Sequence, residues 1–167
     1  MSRHAVLYTV VLILALLGGV FYWLQHPSEE ERIRKRCRVL SERVSSGPGE
    51  GNAAMVLETQ RLPGLFADPV TIAVPRHGVQ ATYTPEELAS HIARIRNSAR
   101  SLRLRLYDIR VALPSTDEAQ ATFTARLTGA ARGGENIEET AEIRAALVRR
   151  DGKWLFTSFK DVQVLER

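Results

Sequence analysis

The chain has 167 residues, a net charge of +4 and an apolar fraction of 44%, enough for one domain with a real core plus an appendage. Its positive charge is mostly arginine interleaved with glutamate rather than gathered into a patch, which argues against nucleic acid as a partner. Cys37 is the single cysteine, so an internal disulfide is excluded, and His4, His26, His77 and His91 lie too far apart for paired metal ligands, so neither a metal nor another cofactor is expected.

Ala5 to Leu24 runs without a charge. At helical rise such a stretch spans roughly 30 Å, the thickness of a bilayer's hydrocarbon core. Phe21, Tyr22 and Trp23 cluster at its far end, where amphipathic rings favour the headgroup zone. No small-x-small cleavage site follows, so the reading is an uncleaved transmembrane signal anchor rather than a signal peptide. The expected organisation is a tail and anchor over 1–26 and a folded domain over 27–167. The lipid bilayer is engaged through residues 5–24, as a single pass in the cell (inner) membrane. Arg32, Arg34, Lys35, Arg36, Arg38 and Arg43 follow the span and by the positive-inside rule would hold the domain in the cytoplasm. A short N-terminal tail ahead of a long domain is instead the layout of an exported anchor, and an extracytoplasmic (periplasmic) domain is the expectation, with the cytoplasmic one left open.

Ser28 followed by Glu31 reads as a capping box, and Ile33, Cys37, Leu40 and Val44 recur at helical spacing, giving a first helix over about 28–45. The glycine-rich stretch 45–51 lacks the Gly-Lys-Ser/Thr ending of a phosphate-binding loop and reads as a linker. A short helix over 52–61, a break at Pro63-Gly64, a strand over 70–74, a turn at Arg76-His77-Gly78 and a returning strand over 79–83 follow. Thr84-Pro85-Glu86-Glu87 starts a third helix running to about Ala99, with Leu88, His91, Ile92, Ile95 and Ala99 on one face. Leu102, Leu104 and Leu106 alternate with Arg103 and Arg105. The phase then slips to Ile109, Val111 and Leu113, which predicts a β-bulge near Tyr107-Asp108. Ala119, Ala121, Phe123, Ala125 and Leu127 make the next buried row, and 129–136 reads as a loop. The tail from Ile137 is a long hairpin turning at Arg150-Asp151-Gly152-Lys153. Its second strand, Trp154 to Phe159, is apolar on both faces and therefore covered on both.

Helices first, then a strand pair, a helix and an antiparallel meander form an α+β pattern. With Leu65-Phe66-Ala67-Asp68-Pro69-Val70, Tyr83-Thr84-Pro85-Glu86-Glu87-Leu88 and Asp151-Gly152-Lys153-Trp154-Leu155-Phe156, residues 28–167 resemble the nuclear transport factor 2-like superfamily, also called SnoaL-like. The resemblance implies a cystatin-like cone, three helices packed on a curved, mainly antiparallel sheet, here preceded by the transmembrane helix. Its members include isomerases, dehydratases, cyclases and many non-catalytic binding modules, so fold does not settle function.

Acid–base chemistry in such a cone needs a few polar groups on an apolar wall. The catalytic candidates are His91, on the packing face of the third helix, and Asp108, at the bulge. Tyr83, His91 and Tyr107 are the candidate ligand-binding residues. No tyrosine–aspartate or paired-histidine motif surrounds them. The expectation is therefore a binding or protein-interaction module, with a small acid–base lyase or isomerase acting on an apolar molecule as the alternative. Arg103, Arg105, Arg126 and Arg144 alternate outward and would give the sheet a basic outer face. That face is the candidate surface for a protein partner or a homodimer, and the cone the candidate site for a small apolar ligand.

Overall fold

In the computed structural model of the chain the described residues are 28–162, without 50, 76 and 77. The expected membrane span at 5–24 and the expected turn at Arg76-His77 lie outside them. Among the described residues no helix is long and apolar enough to cross a membrane.

Helix α1 (Glu29–Val44) begins where Ser28 Oγ accepts from the Glu31 amide at 3.2 Å, satisfying one of the orphan donors of the first turn. Its predicted stripe is the one that packs: Ile33, Cys37 and Leu40 are buried. Complete burial of a side chain such as Ile33 contributes about 1.5–3 kcal/mol. Helix α2 (Asn52–Arg61) and a 3-10 turn (Pro63–Leu65) lead into β1 (Phe66–Val74), which β2 (Val79–Tyr83) pairs antiparallel. Thr84 caps α3 (Pro85–Ser98) with both halves of a capping box, its Oγ1 accepting from the Glu87 amide and Glu87 Oε2 accepting from the Thr84 amide.

The meander then runs through β3 (Ala99–Ala112), β4 (Glu118–Ala131), β5 (Asn136–Arg150) and β6 (Lys153–Asp161). The six strands form one mixed sheet in the order β2-β1-β6-β5-β4-β3. The β1–β6 pairing is parallel, so the last strand lies inside the sheet between the two hairpin systems. The expected cover on both faces is not found: a register shift between Ala146 and Leu147 brings Trp154, Phe156 and Phe159 all to the inner side, while Ser158 and Lys160 fall on the outer one. The β5–β6 turn is the expected two-residue one, with Asp151 at φ 50° and Gly152 at φ 73°. The predicted bulge is present, since the β3–β4 register shifts between Tyr107 and Arg110 and Asp108 takes φ 53°.

The loop expected over 129–136 is shorter than its composition suggests, because β4 continues to Ala131 and β5 starts at Asn136. Gly129 is a strand residue whose lack of a side chain admits the neighbouring strand: a Cβ there would stand 2.2 Å from the Ser101 carbonyl oxygen.

The helices cover one face of the sheet. Ala121, Phe123, Ala145, Leu147, Trp154 and Phe156 point to that inner side and join Ile33, Cys37, Leu40, Leu65, Val70 and Leu88 in a single core cluster. Phe66, Phe156 and Phe159 pack as a ring triad with centroids 5.0–6.4 Å apart. Backbone and side-chain bonds fasten α1 across the inner face. Ser41 Oγ donates to Leu104 O at 2.7 Å, Arg36 Nε to Trp154 O at 2.8 Å, and Ser46 exchanges both backbone bonds with Leu102 on the edge strand.

Candidate functional site

Helix α3 is rotated relative to the face expected from its apolar residues. Pro85, Leu88, Ala89 and Arg96 are its buried positions, while His91 is exposed and Ile95 is 52% exposed. Arg96 takes the place in the packing that Ile95 was expected to hold, and its Nη1 donates to Arg43 O at 3.0 Å. His91 sits on the flank, its ring 5.0 Å from that of Tyr83 at 63°, an edge-on contact. Tyr107 is 40% exposed and Asp108 is exposed. Tyr83 and His91 therefore come together next to β2, whereas Tyr107 and Asp108 lie on β3, and β2 and β3 are the two outermost strands. No hydrogen bond or ion pair joins His91 to Asp108.

Asp161 is the residue that the pattern reading passed over. It is 2% exposed, pairs with Ile143 in register and so shares the inner phase of Phe159 and Ile143. Counting by two outward from Phe159 would have placed it there. Among the described residues no group of three or more His, Cys, Asp or Glu could hold a metal ion. Cys37 is buried against the sheet, and burial pushes its thiol up to about 12, which suits packing and opposes nucleophilic use.

Several concavities open among the described residues. One of about 670 Å³ is lined mostly by outer-phase positions, among them Ala112, Gln120, Ala146, Val148 and Arg150, so it opens away from α1. A second, about 440 Å³, lies between Ser46, Gly47, Met55 and three arginines, Arg96, Arg100 and Arg132. The third, about 310 Å³, is framed by Arg32, Lys35, Arg36, Lys153 and Trp154.

The outer face is basic. Register places Arg105 opposite Arg126, and Arg110, Thr122, Arg144 and Lys160 in one row across four strands. Arg126 Nη2 meets Glu138 at 2.7 Å, but no carboxylate reaches Arg105, Arg110, Arg144 or Lys160 within ion-pair distance among the described residues. Like charges set directly across a sheet destabilise it, so the row is maintained at a cost in folding free energy.

Residues 58–160 match the family described as SnoaL-like domain. A search of curated protein sequences finds no match. Among solved structures, the Kfla4162 protein from Kribbella flavida superposes with a TM-score of 0.66 at 11% identity, covering 84% of this chain and 93% of its own. Hexachlorocyclohexane dehydrochlorinase LinA-type3 from Novosphingobium barchaimii LL02 gives 0.61 at 18% identity, covering 79% and 84%. An uncharacterized protein with a cystatin-like fold from Caulobacter vibrioides gives 0.58 at 11%, covering 80% and 89%. At these identities the likeness speaks for the fold: an α+β cystatin-like cone with a curved mixed sheet and three helices. The family match takes in more than half of the sequence, and the chain belongs to the SnoaL-like domain family.

Proposed function

We propose that this chain is a membrane-tethered, non-catalytic interaction module. Residues 5–24 hold it in a cell membrane as a single pass, with the SnoaL-like domain on the extracytoplasmic side. The outer face of the sheet receives an acidic protein partner. The observation that carries the reading is the row Arg110, Arg144 and Lys160, none of which has a carboxylate within ion-pair distance among the described residues although Glu118 and Glu142 share the face, and which borders the 670 Å³ concavity. An uncompensated row of this kind steers and orients an oppositely charged surface. Two copies of the same basic face repel one another, so the partner is a different protein rather than a homodimer mate.

The test is native purification of the full chain in mild detergent, beside the double variant Arg144→Glu, Lys160→Glu. The expected result is a stoichiometric acidic protein that stays with the wild type at low salt and is lost at high salt and from the variant. Recovery of the wild-type chain alone at every salt concentration overturns the reading.

Burial of Asp161 on the inner face favours a second reading, a small acid–base lyase or isomerase acting on an apolar molecule. The reaction of one structural neighbour, the hexachlorocyclohexane dehydrochlorinase, is an elimination of that general kind. This version requires an apolar small molecule retained in native mass spectra of the wild type and released by Asp161→Asn.

A further inference from the structure

Helix α1 fixes which end of the domain the N-terminal segment enters. Glu29, its first residue, accepts from Trp154 Nε1 at 2.8 Å and pairs with Arg149 at 3.5 Å, so the start of α1 sits against the β5–β6 turn. Ser28 follows Leu24 by four Cα steps, which extend to no more than about 14 Å. If residues 5–24 span a bilayer, the first turns of α1 and the β5–β6 turn are the parts of the domain nearest its headgroups.

That end carries the 310 Å³ concavity framed by Arg32, Lys35, Arg36, Lys153 and Trp154, with no carboxylate in its lining. The nearby acids are Glu29, Glu30, Glu31 and Asp151. Glu29 meets Arg32 at 3.1 Å as well as Arg149, and Glu30 meets Arg34 at 4.0 Å. Arg36 is held in place by its bond to Trp154 O. Lys35 and Lys153 are exposed and have no carboxylate within ion-pair distance among the described residues.

We propose that this concavity is a headgroup site, taking the phosphate of an anionic lipid from the same bilayer that holds residues 5–24. The lipid bridges α1 and the β5–β6 turn and holds that end of the domain down on the membrane surface. With residues 5–24 in a bilayer, these cations belong to the end of the domain that faces it, where basic side chains are drawn to anionic lipid. The proposal rests on the tether of residues 5–24 in the reading above, not on the side of the membrane assigned to the domain, and is independent of the partner on the outer face.

The chain has three lysines, Lys35, Lys153 and Lys160, all exposed, and only the first two frame the concavity. The test is amine acylation of the full chain reconstituted in vesicles of phosphatidylcholine alone or mixed with phosphatidylglycerol, read by mass spectrometry. The expected result is several-fold protection of Lys35 and Lys153 relative to Lys160 in the anionic vesicles, absent in phosphatidylcholine. Equal reactivity of the three lysines in both lipids overturns the proposal. Inorganic phosphate added to the chain in neutral detergent is the second arm. Protection there equal to that in anionic vesicles overturns the lipid assignment in favour of free phosphate. Carbonate extraction separates the two readings: a chain washed from the vesicles overturns the tether itself, whereas a retained chain with unprotected lysines overturns only the headgroup site.

Discussion

Trp154 Nε1 donates to Glu29 Oε2 at 2.8 Å, joining the first residue of α1 to the first turn of β6 across 125 positions of sequence. The indole is 3% exposed, so its donor has little water to fall back on. Trp154→Phe removes the donor and trims the ring, and is expected to cost about 1.5–3 kcal/mol, the range for a bond to a charged acceptor. Glu29→Gln keeps an acceptor for the indole and loses only half-exposed ion pairs, so it is expected to cost about 1 kcal/mol or less. Urea unfolding of the two variants checks the order.

Gly129 makes a second, more local prediction. A methyl group there meets the Ser101 carbonyl oxygen at 2.2 Å, and that atom is backbone with no room to swing aside. Gly129→Ala is expected to destabilise by about 1–3 kcal/mol, the usual cost of overpacking, and to shift the β3–β4 pairing around Leu102. Gly133→Ala, where nothing lies within 4 Å, is the control and is expected to be near neutral by the same measurement.

The Cys37 thiol titrates in the unfolded chain near its ordinary 9.0, but burial holds the folded one up at about 12. Between these values the unfolded state binds fewer protons than the folded one. The stability that Cys37 contributes is therefore complete below pH 9 and declines as pH rises toward 12. Relative to Cys37→Ala, the wild type is expected to lose up to about 1.4 kcal/mol per pH unit across that window in urea titrations. At pH 8 a thiol reagent is expected to label Cys37 only after unfolding, read by mass spectrometry.

Asp108 holds a positive φ of 53° where the β3–β4 register slips. Aspartate tolerates this region better than most residues, glycine better still and β-branched residues worst. Asp108→Gly is expected to leave stability unchanged or raise it slightly, and Asp108→Val to lower it by about 1–2 kcal/mol, both by thermal or urea unfolding.

Where side chains follow their local period, the sequence was enough. The α1 stripe, the Thr84–Glu87 cap, the Asp151-Gly152 turn and the slip at Tyr107-Asp108 all announce themselves within a few residues. The face of α3 did not, because its apolar residues put Ile95 and His91 inside and gave no place there to Arg96. The fold reverses them, since a guanidinium with a carbonyl to meet can be buried and an isoleucine on the flank need not be. His91 moved to the surface with that rotation. Asp161 lies two residues beyond Phe159, where the expected strand ends, so no inward position was assigned to it. The parallel β1–β6 pairing joins segments some ninety residues apart and leaves no mark in either one.

That pairing has a consequence for biosynthesis. The β1–β2 hairpin and the β3–β5 meander meet only through β6, so neither has its neighbour until the ribosome has passed Asp161. Until then β1 and β5 each present an open edge to other chains. A nonsense codon between Arg150 and Lys153 would yield two unjoined fragments of sheet on one truncated chain, a substrate for proteolysis rather than a shortened domain.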